Sequence, residues 1–135
     1  MLPRAPARRH ARGLALAGMA HPLADPALEV TPEQAAQALA AGDAQVVDVR
    51  EPYEREAGHI PGTRHIELER LGSQAPTLDA ERPVIFVCRA GVRSLLAAQA
   101  FRRAGFQATS MAGGMERWHA EGRPMEPADG VVAPH

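Results

Sequence analysis

The chain predicts an open, mainly parallel α/β sheet with helices on both faces, and three observations carry that expectation. Helix-like and strand-like stretches alternate from residue 28 to residue 122. The most apolar stretch, VIFVC at 84–88, is β-branched or aromatic and uncharged, as suits a central parallel strand covered on both faces. The length, 135 residues, leaves room for one hydrophobic core and not two. Aromatic residues make up only 4% of the chain, so that core must come from Ala, Val, Leu and Ile.

Organised sequence begins near Leu28. TPEQAAQALAAG is a helix with Thr31 as N-cap, Pro32 in its first position, Gln34 completing a capping box and Gly42 as the stop. QVVDVR (45–50) reads as a short buried strand built on Val46, Val47 and Val49. Pro52 opens a short acidic helix, PYEREA, which Gly58 closes; Glu51, Glu54 and Glu56 are expected on its solvated face. HIPG (59–62) is a turn, and RHIEL (64–68) reads as another short strand.

Residues 69–83 form a loop or weak helix punctuated by Pro76 and Pro83. After VIFVC comes the clearest helix, SLLAAQAFRRAGF, with Leu95, Leu96, Ala98, Phe101 and Ala104 at three-to-four spacing and Gly105 at its end. ATSM (108–111) is a second-rank strand broken by Gly113 and Gly114. MERWHAEG closes the series as a helix, with Trp118 as a packing anchor and Pro124 beyond its end. There is no internal repeat.

Charge is unevenly spread. Arg4, Arg8, Arg9 and Arg12 precede the first acid, so the first twelve residues carry +4. The remaining eleven arginines face sixteen acids, leaving the body at −5 without a basic stripe, which argues against nucleic acid as a partner. No apolar run approaches a membrane span. Residues 1–25 read as a disordered Arg/Ala/Pro-rich extension, with a targeting or export segment as the alternative. Residues 127–135 read as a flexible tail. One cysteine excludes an internal disulfide and disfavours a structural zinc site, and the cytoplasm is the expected compartment.

That cysteine is the centre of the chemical argument. A lone cysteine ending an apolar strand is by itself a small buried hydrophobe. The RAGVRS that follows Cys88 changes the reading, because a structural cysteine needs neither two arginines nor a tight turn. The order strand, cysteine, loop, helix sets the sulfur beside a helix N-terminus expected near Ser94. Backbone N–H groups of Arg89, Ala90, Gly91, Val92, Arg93 and Ser94 are free to converge on an anion there. Gly91 permits the tight curl, and the helix dipole with Arg93 and Arg89 favours thiolate over thiol.

Three stretches, VVDVREPYEREAGHIPGTRHI (46–66), VIFVCRAGVRS (84–94) and AGGMERWHAEGRP (112–124), resemble the motifs of the single-domain rhodanese family, in the family's order. The resemblance covers about residues 28–126. It implies a five-stranded parallel sheet and a sulfurtransferase in which Cys88 takes sulfur from a small anionic donor such as thiosulfate. The persulfide so formed passes its sulfur to a thiophilic acceptor: cyanide in the assay, a thiol or protein in the cell. Neither metal nor organic cofactor is implied.

Around the nucleophile, Asp48 is expected to hold neighbouring loops by accepting hydrogen bonds. Arg50 faces the pocket, stands solvated at the strand end or forms a salt bridge. His59 invites a reading as general base, but the resemblance gives it a turn-supporting role. His65 and His119 are expected at the surface. Two rivals remain. A cysteine phosphatase or arsenate reductase uses a similar device, but four residues separate Cys88 from Arg93, one fewer than in the phosphatase loop. A binding module or persulfide carrier without turnover is the rival from another class.

Overall fold

The computed structural model describes residue 2 and residues 27–135. The expected extension over 1–25 therefore lies, apart from Leu2, outside the described residues. The described chain folds in the order β1 (Glu29–Val30), α1 (Pro32–Ala41), β2 (Gln45–Asp48), α2 (Pro52–Ala57), β3 (Arg64–His65), α3 (Leu71–Gln74), β4 (Val84–Val87), α4 (Val92–Arg103), β5 (Ala108–Met111) and α5 (Gly114–Ala120). Short 3₁₀ turns at Leu68–Arg70 and Ala75–Thr77 flank α3.

The strands form one five-stranded sheet in the order β1-β5-β4-β2-β3, and every pairing is parallel. Strand β4 is central: Val84 to Val87 face Gln45 to Asp48 on one side, and Val84 to Phe86 face Ala108 to Ser110 on the other. All four β4 residues are buried, and alternation sends them to opposite faces. Val84 and Phe86 join Val47, Ala97, Phe101 and Ala108 in one core; Ile85 and Val87 join Ala35, Met111, Met115 and Trp118 in the other. Phe101 sits edge-on between Phe86 and Phe106, with ring centroids 4.9 Å apart on each side.

The cap of α1 forms as its sequence predicts. Gln34 N donates to Thr31 Oγ1 at 3.1 Å and Thr31 N to Gln34 Oε1 at 2.8 Å. Elsewhere the structure departs from expectation in detail. RHIEL is extended only over Arg64 and His65, because the chain turns into the 3₁₀ segment at Leu68. The buried stripe of α4 runs through Ser94, Ala97, Ala98 and Phe101, which leaves Leu96 exposed rather than packed. Strand β1 carries no periodic signal in two residues; its pairing with β5, Glu29 to Ser110 and Val30 to Met111, defines it.

Residues 127–135, expected as a tail, lie against α2. Val131 N donates to Ala57 O, and Tyr53 Oη donates to Pro134 O. Among the described residues no helix is long and apolar enough to cross a membrane.

Candidate active site

The site forms where the carboxyl ends of β2, β4 and β5 meet, the edge at which open parallel sheets bind ligands. Cys88 follows β4 directly, and α4 begins at Val92, two residues earlier than the sequence suggests. Gly91 caps that helix with φ +102°, a conformation L side chains rarely adopt. The turn folds back so that two backbone donors and one hydroxyl reach the sulfur. Gly91 N lies 3.2 Å from Cys88 Sγ, Ser94 N lies 3.3 Å away, and Ser94 Oγ lies 3.3 Å away. The thiol is 1% exposed.

The loop is clamped from the first turn of α5. Met115 N donates to Cys88 O at 2.8 Å, and Glu116 N donates to Arg89 O at 2.9 Å. This approach explains Gly114, where a Cβ would stand 2.5 Å from Cys88 O. Behind the sulfur, Ser94 Oγ lies 2.7 Å from Ser110 Oγ, a fully buried hydroxyl on β5. Sequence reasoning missed Ser110. The only signal available was a polar residue in the ATSM strand, at the alternation that Ala108 shares with the Cys88 face.

Arg93, expected near the thiolate, directs its Nη1 and Nη2 to Glu54 Oε1 and Oε2 at 2.8 and 2.9 Å. Glu54, expected on a solvated face, is fully buried. It also accepts Glu51 N at 3.0 Å, so one carboxylate closes the first turn of α2 and anchors the first turn of α4. Burial pushes the Glu54 carboxyl up, but the Arg93 hydrogen bonds, the Glu51 backbone and the Arg93 charge together hold it below its usual range. The Glu54 hydrogen bond correspondingly raises Arg93 above its ordinary value against the opposing effect of burial.

Arg89 pairs with Glu116 at 3.1 Å, and its Nε is a buried donor without a partner. Ala90 and Val92 are exposed beside it. Of the six loop residues, Gly91 and Ser94 thus direct hydrogen bonds to the sulfur, and the Arg93 guanidinium is committed to Glu54.

At the end of β2, Asp48 accepts from Arg50 N (3.1 Å), Arg50 Nε (2.9 Å) and Arg50 Nη2 (2.8 Å), with Arg55 Nη1 at 3.4 Å. Arg50 is fully buried and also donates to Gly58 O at 2.9 Å; its Nη1 has no partner. His59 stands between Arg55 O at 3.1 Å and Glu126 Oε1 at 3.2 Å, so its ring nitrogens serve the turn and the chain end. His65, expected at the surface, is half-buried and donates from Nε2 to Arg50 O at 2.6 Å.

A family model described as a rhodanese-like domain matches residues 31–121. The chain belongs to this family. Within it, the chain is 38% identical over 108 residues to thiosulfate sulfurtransferase GlpE of Pseudomonas aeruginosa strain LESB58, covering 79% of this chain and 94% of that protein. It is 34% identical over 79 residues to the putative sulfurtransferase YtwF of Bacillus subtilis, covering 58% of this chain and 77% of that one. The fold matches a crystal structure of a rhodanese-related protein from Thermoplasma volcanium with a TM-score of 0.67 at 24% identity, over 78% of this chain and 99% of the other. The five-stranded parallel sheet anticipated from the family resemblance is the one observed.

Proposed function

We propose that the protein is a sulfurtransferase of the thiosulfate type, with Cys88 as its nucleophile. The observation that carries this reading is the convergence of Gly91 N, Ser94 N and Ser94 Oγ on one sulfur atom at 3.2–3.3 Å. Three donors aimed at a single sulfur stabilise it as an anion. The likeness to GlpE supports thiosulfate as the donor.

In the first half-reaction the Cys88 thiolate attacks the outer sulfur of thiosulfate. An S–S bond forms to Cys88 as the sulfur–sulfur bond of thiosulfate breaks, and sulfite leaves with the electron pair. In the second, a thiolate or cyanide attacks the outer persulfide sulfur. The Cys88–S bond breaks, and its electron pair returns to Cys88 as thiolate. The chemistry closes on Cys88 with no metal or organic cofactor, and the single cysteine sends the persulfide sulfur to another molecule. A reducing compartment, the cytoplasm, suits such a thiol.

One observation favours a second reading, a persulfide carrier loaded by a protein. The two loop guanidiniums are paired, Arg93 with Glu54 and Arg89 with Glu116, so little uncompensated charge remains to recruit a small anion. Intact-protein mass spectrometry separates the readings. A gain of one sulfur atom on incubation with thiosulfate, reversed by cyanide and absent in Cys88→Ser, is the result expected of the enzyme. Folded protein that takes sulfur only from a protein persulfide would establish the carrier instead.

A further inference from the structure

We infer that Ser110 is a positioning residue that sets the direction of the Ser94 hydroxyl and thereby stabilises the anionic form of Cys88. This rests on the reading of Cys88 as the nucleophile. Cys88 Sγ, Ser94 Oγ and Ser110 Oγ form a chain with links of 3.3 and 2.7 Å, and all three residues are buried. Ser110 stands opposite Phe86 on β5 and enters from the sheet, whereas Ser94 belongs to the first turn of α4. The chain therefore ties the nucleophile to the sheet through β5.

Each hydroxyl has one proton to give. With the sulfur as an anion, a single arrangement uses both: Ser110 O–H donates to Ser94 Oγ, and Ser94 O–H donates to Sγ. With a thiol that donates to Ser94, the chain reverses and the Ser110 proton points into a fully buried site at the end of the relay. A buried donor without an acceptor is costly, so the relay favours the sulfur anion. Polarisation along the chain strengthens the final link in the same sense.

The charged groups around the sulfur are fixed in pairs and stay unchanged when Ser110 is altered. They are Arg93 with Glu54 of α2, Arg89 with Glu116 of α5, and Arg50 and Arg55 with Asp48 at the end of β2.

The test is a pH titration of thiolate absorbance in the full chain, where Cys88 is the only cysteine and Cys88→Ser supplies the baseline. In Ser110→Ala the thiolate should appear at higher pH than in the wild type. The same substitution in a Ser94→Ala background should have no further effect, since its action passes through Ser94. Ser110→Thr and Ser110→Val share a shape and differ by the hydroxyl, so Thr should titrate below Val.

Sulfur transfer at neutral pH should fall roughly three- to tenfold in Ser110→Ala, the worth of one net hydrogen bond. An unshifted titration in Ser110→Ala, coincident Thr and Val curves, or an undiminished shift in the Ser94→Ala background would each overturn the inference. The titration needs no sulfur donor, so a failure of the sulfurtransferase reading would register separately, as a wild type that titrates but transfers nothing.

Discussion

The carboxyl ends of β4 and β2 are neighbours in the sheet, joined through Asp48 and Val87, yet they handle charge in opposite ways. At the end of β4 the sulfur of Cys88 meets neutral donors: two backbone N–H groups and a hydroxyl. At the end of β2 the Asp48 carboxylate is saturated by the guanidinium groups of Arg50 and Arg55. Around these two strand ends the charged side chains pair with one another, and the sulfur is left to dipoles. The division has a physical basis. On the proposed reading, a guanidinium bound directly to the sulfur would hold the anion and slow transfer, whereas oriented amides stabilise it without adding a full charge.

The comparison breaks most sharply at its two centres. Cys88→Ser should abolish sulfur transfer completely while the melting curve stays close to wild type, because a serine hydroxyl can accept from Gly91 N and Ser94 N and share one proton with Ser94 Oγ. Transfer that persists in Cys88→Ser would remove the cysteine from the mechanism. Asp48→Ala should do the reverse and act on the fold. It leaves Arg50 fully buried with no carboxylate, and breaking a buried pair from one side costs about 3–5 kcal/mol. Urea unfolding measures that loss, and a variant as stable as wild type would show that Arg50 finds other partners.

Glu54 links the two regions and adds a pH dependence. Its carboxyl is held below the usual range in the folded protein. The unfolded chain therefore binds this proton at higher pH, near the ordinary glutamate value of about 4.3. The resulting stability is fully present above that value and is lost as pH falls through the lower folded value. Glu54→Gln should cost roughly 1.5–3 kcal/mol at neutral pH, the range for a hydrogen bond to a charged group. The gap between wild type and variant should then narrow as unfolding is repeated at progressively more acidic pH. A gap constant down to strong acid would mean that the pair contributes through shape rather than charge.

Which parts of this were legible in the sequence follows from how local each interaction is. The cap of α1, the buried VIFV strand and the cysteine-to-helix turn are specified by residues within a few positions of one another, and all three form, the helix after the turn starting two residues earlier than read. Glu54 was misread because PYEREA alone describes an exposed acidic helix; its burial depends on Arg93, 39 residues away. Leu96 was misread because a leucine at helical spacing was counted as core, although the stripe facing the sheet runs through Ser94, Ala97 and Phe101. Ser110 left almost no trace, since its role exists only once β5 lies beside β4 and brings it 2.7 Å from Ser94. For Glu54 and Ser110, long-range pairing of polar groups marks where sequence reasoning stopped.

The smallest expected effect sharpens the comparison at the surface. Arg89 and Glu116 meet at 3.1 Å, with side chains 37% and 48% exposed, so water screens them and the pair is worth at most about 1 kcal/mol. Glu116→Gln should leave the melting temperature nearly unchanged. It frees one guanidinium at the mouth of the site, and a freed cation attracts a dianionic donor. The KM for thiosulfate should fall by no more than about fivefold, and the gain should shrink with added salt. The kcat should stay level or decline slightly, because a stronger positive field also holds the departing sulfite. If Glu116→Gln instead raises KM, the carboxylate positions Arg89 for the donor, and this exposed pair belongs to the binding machinery rather than to the balanced charges around it.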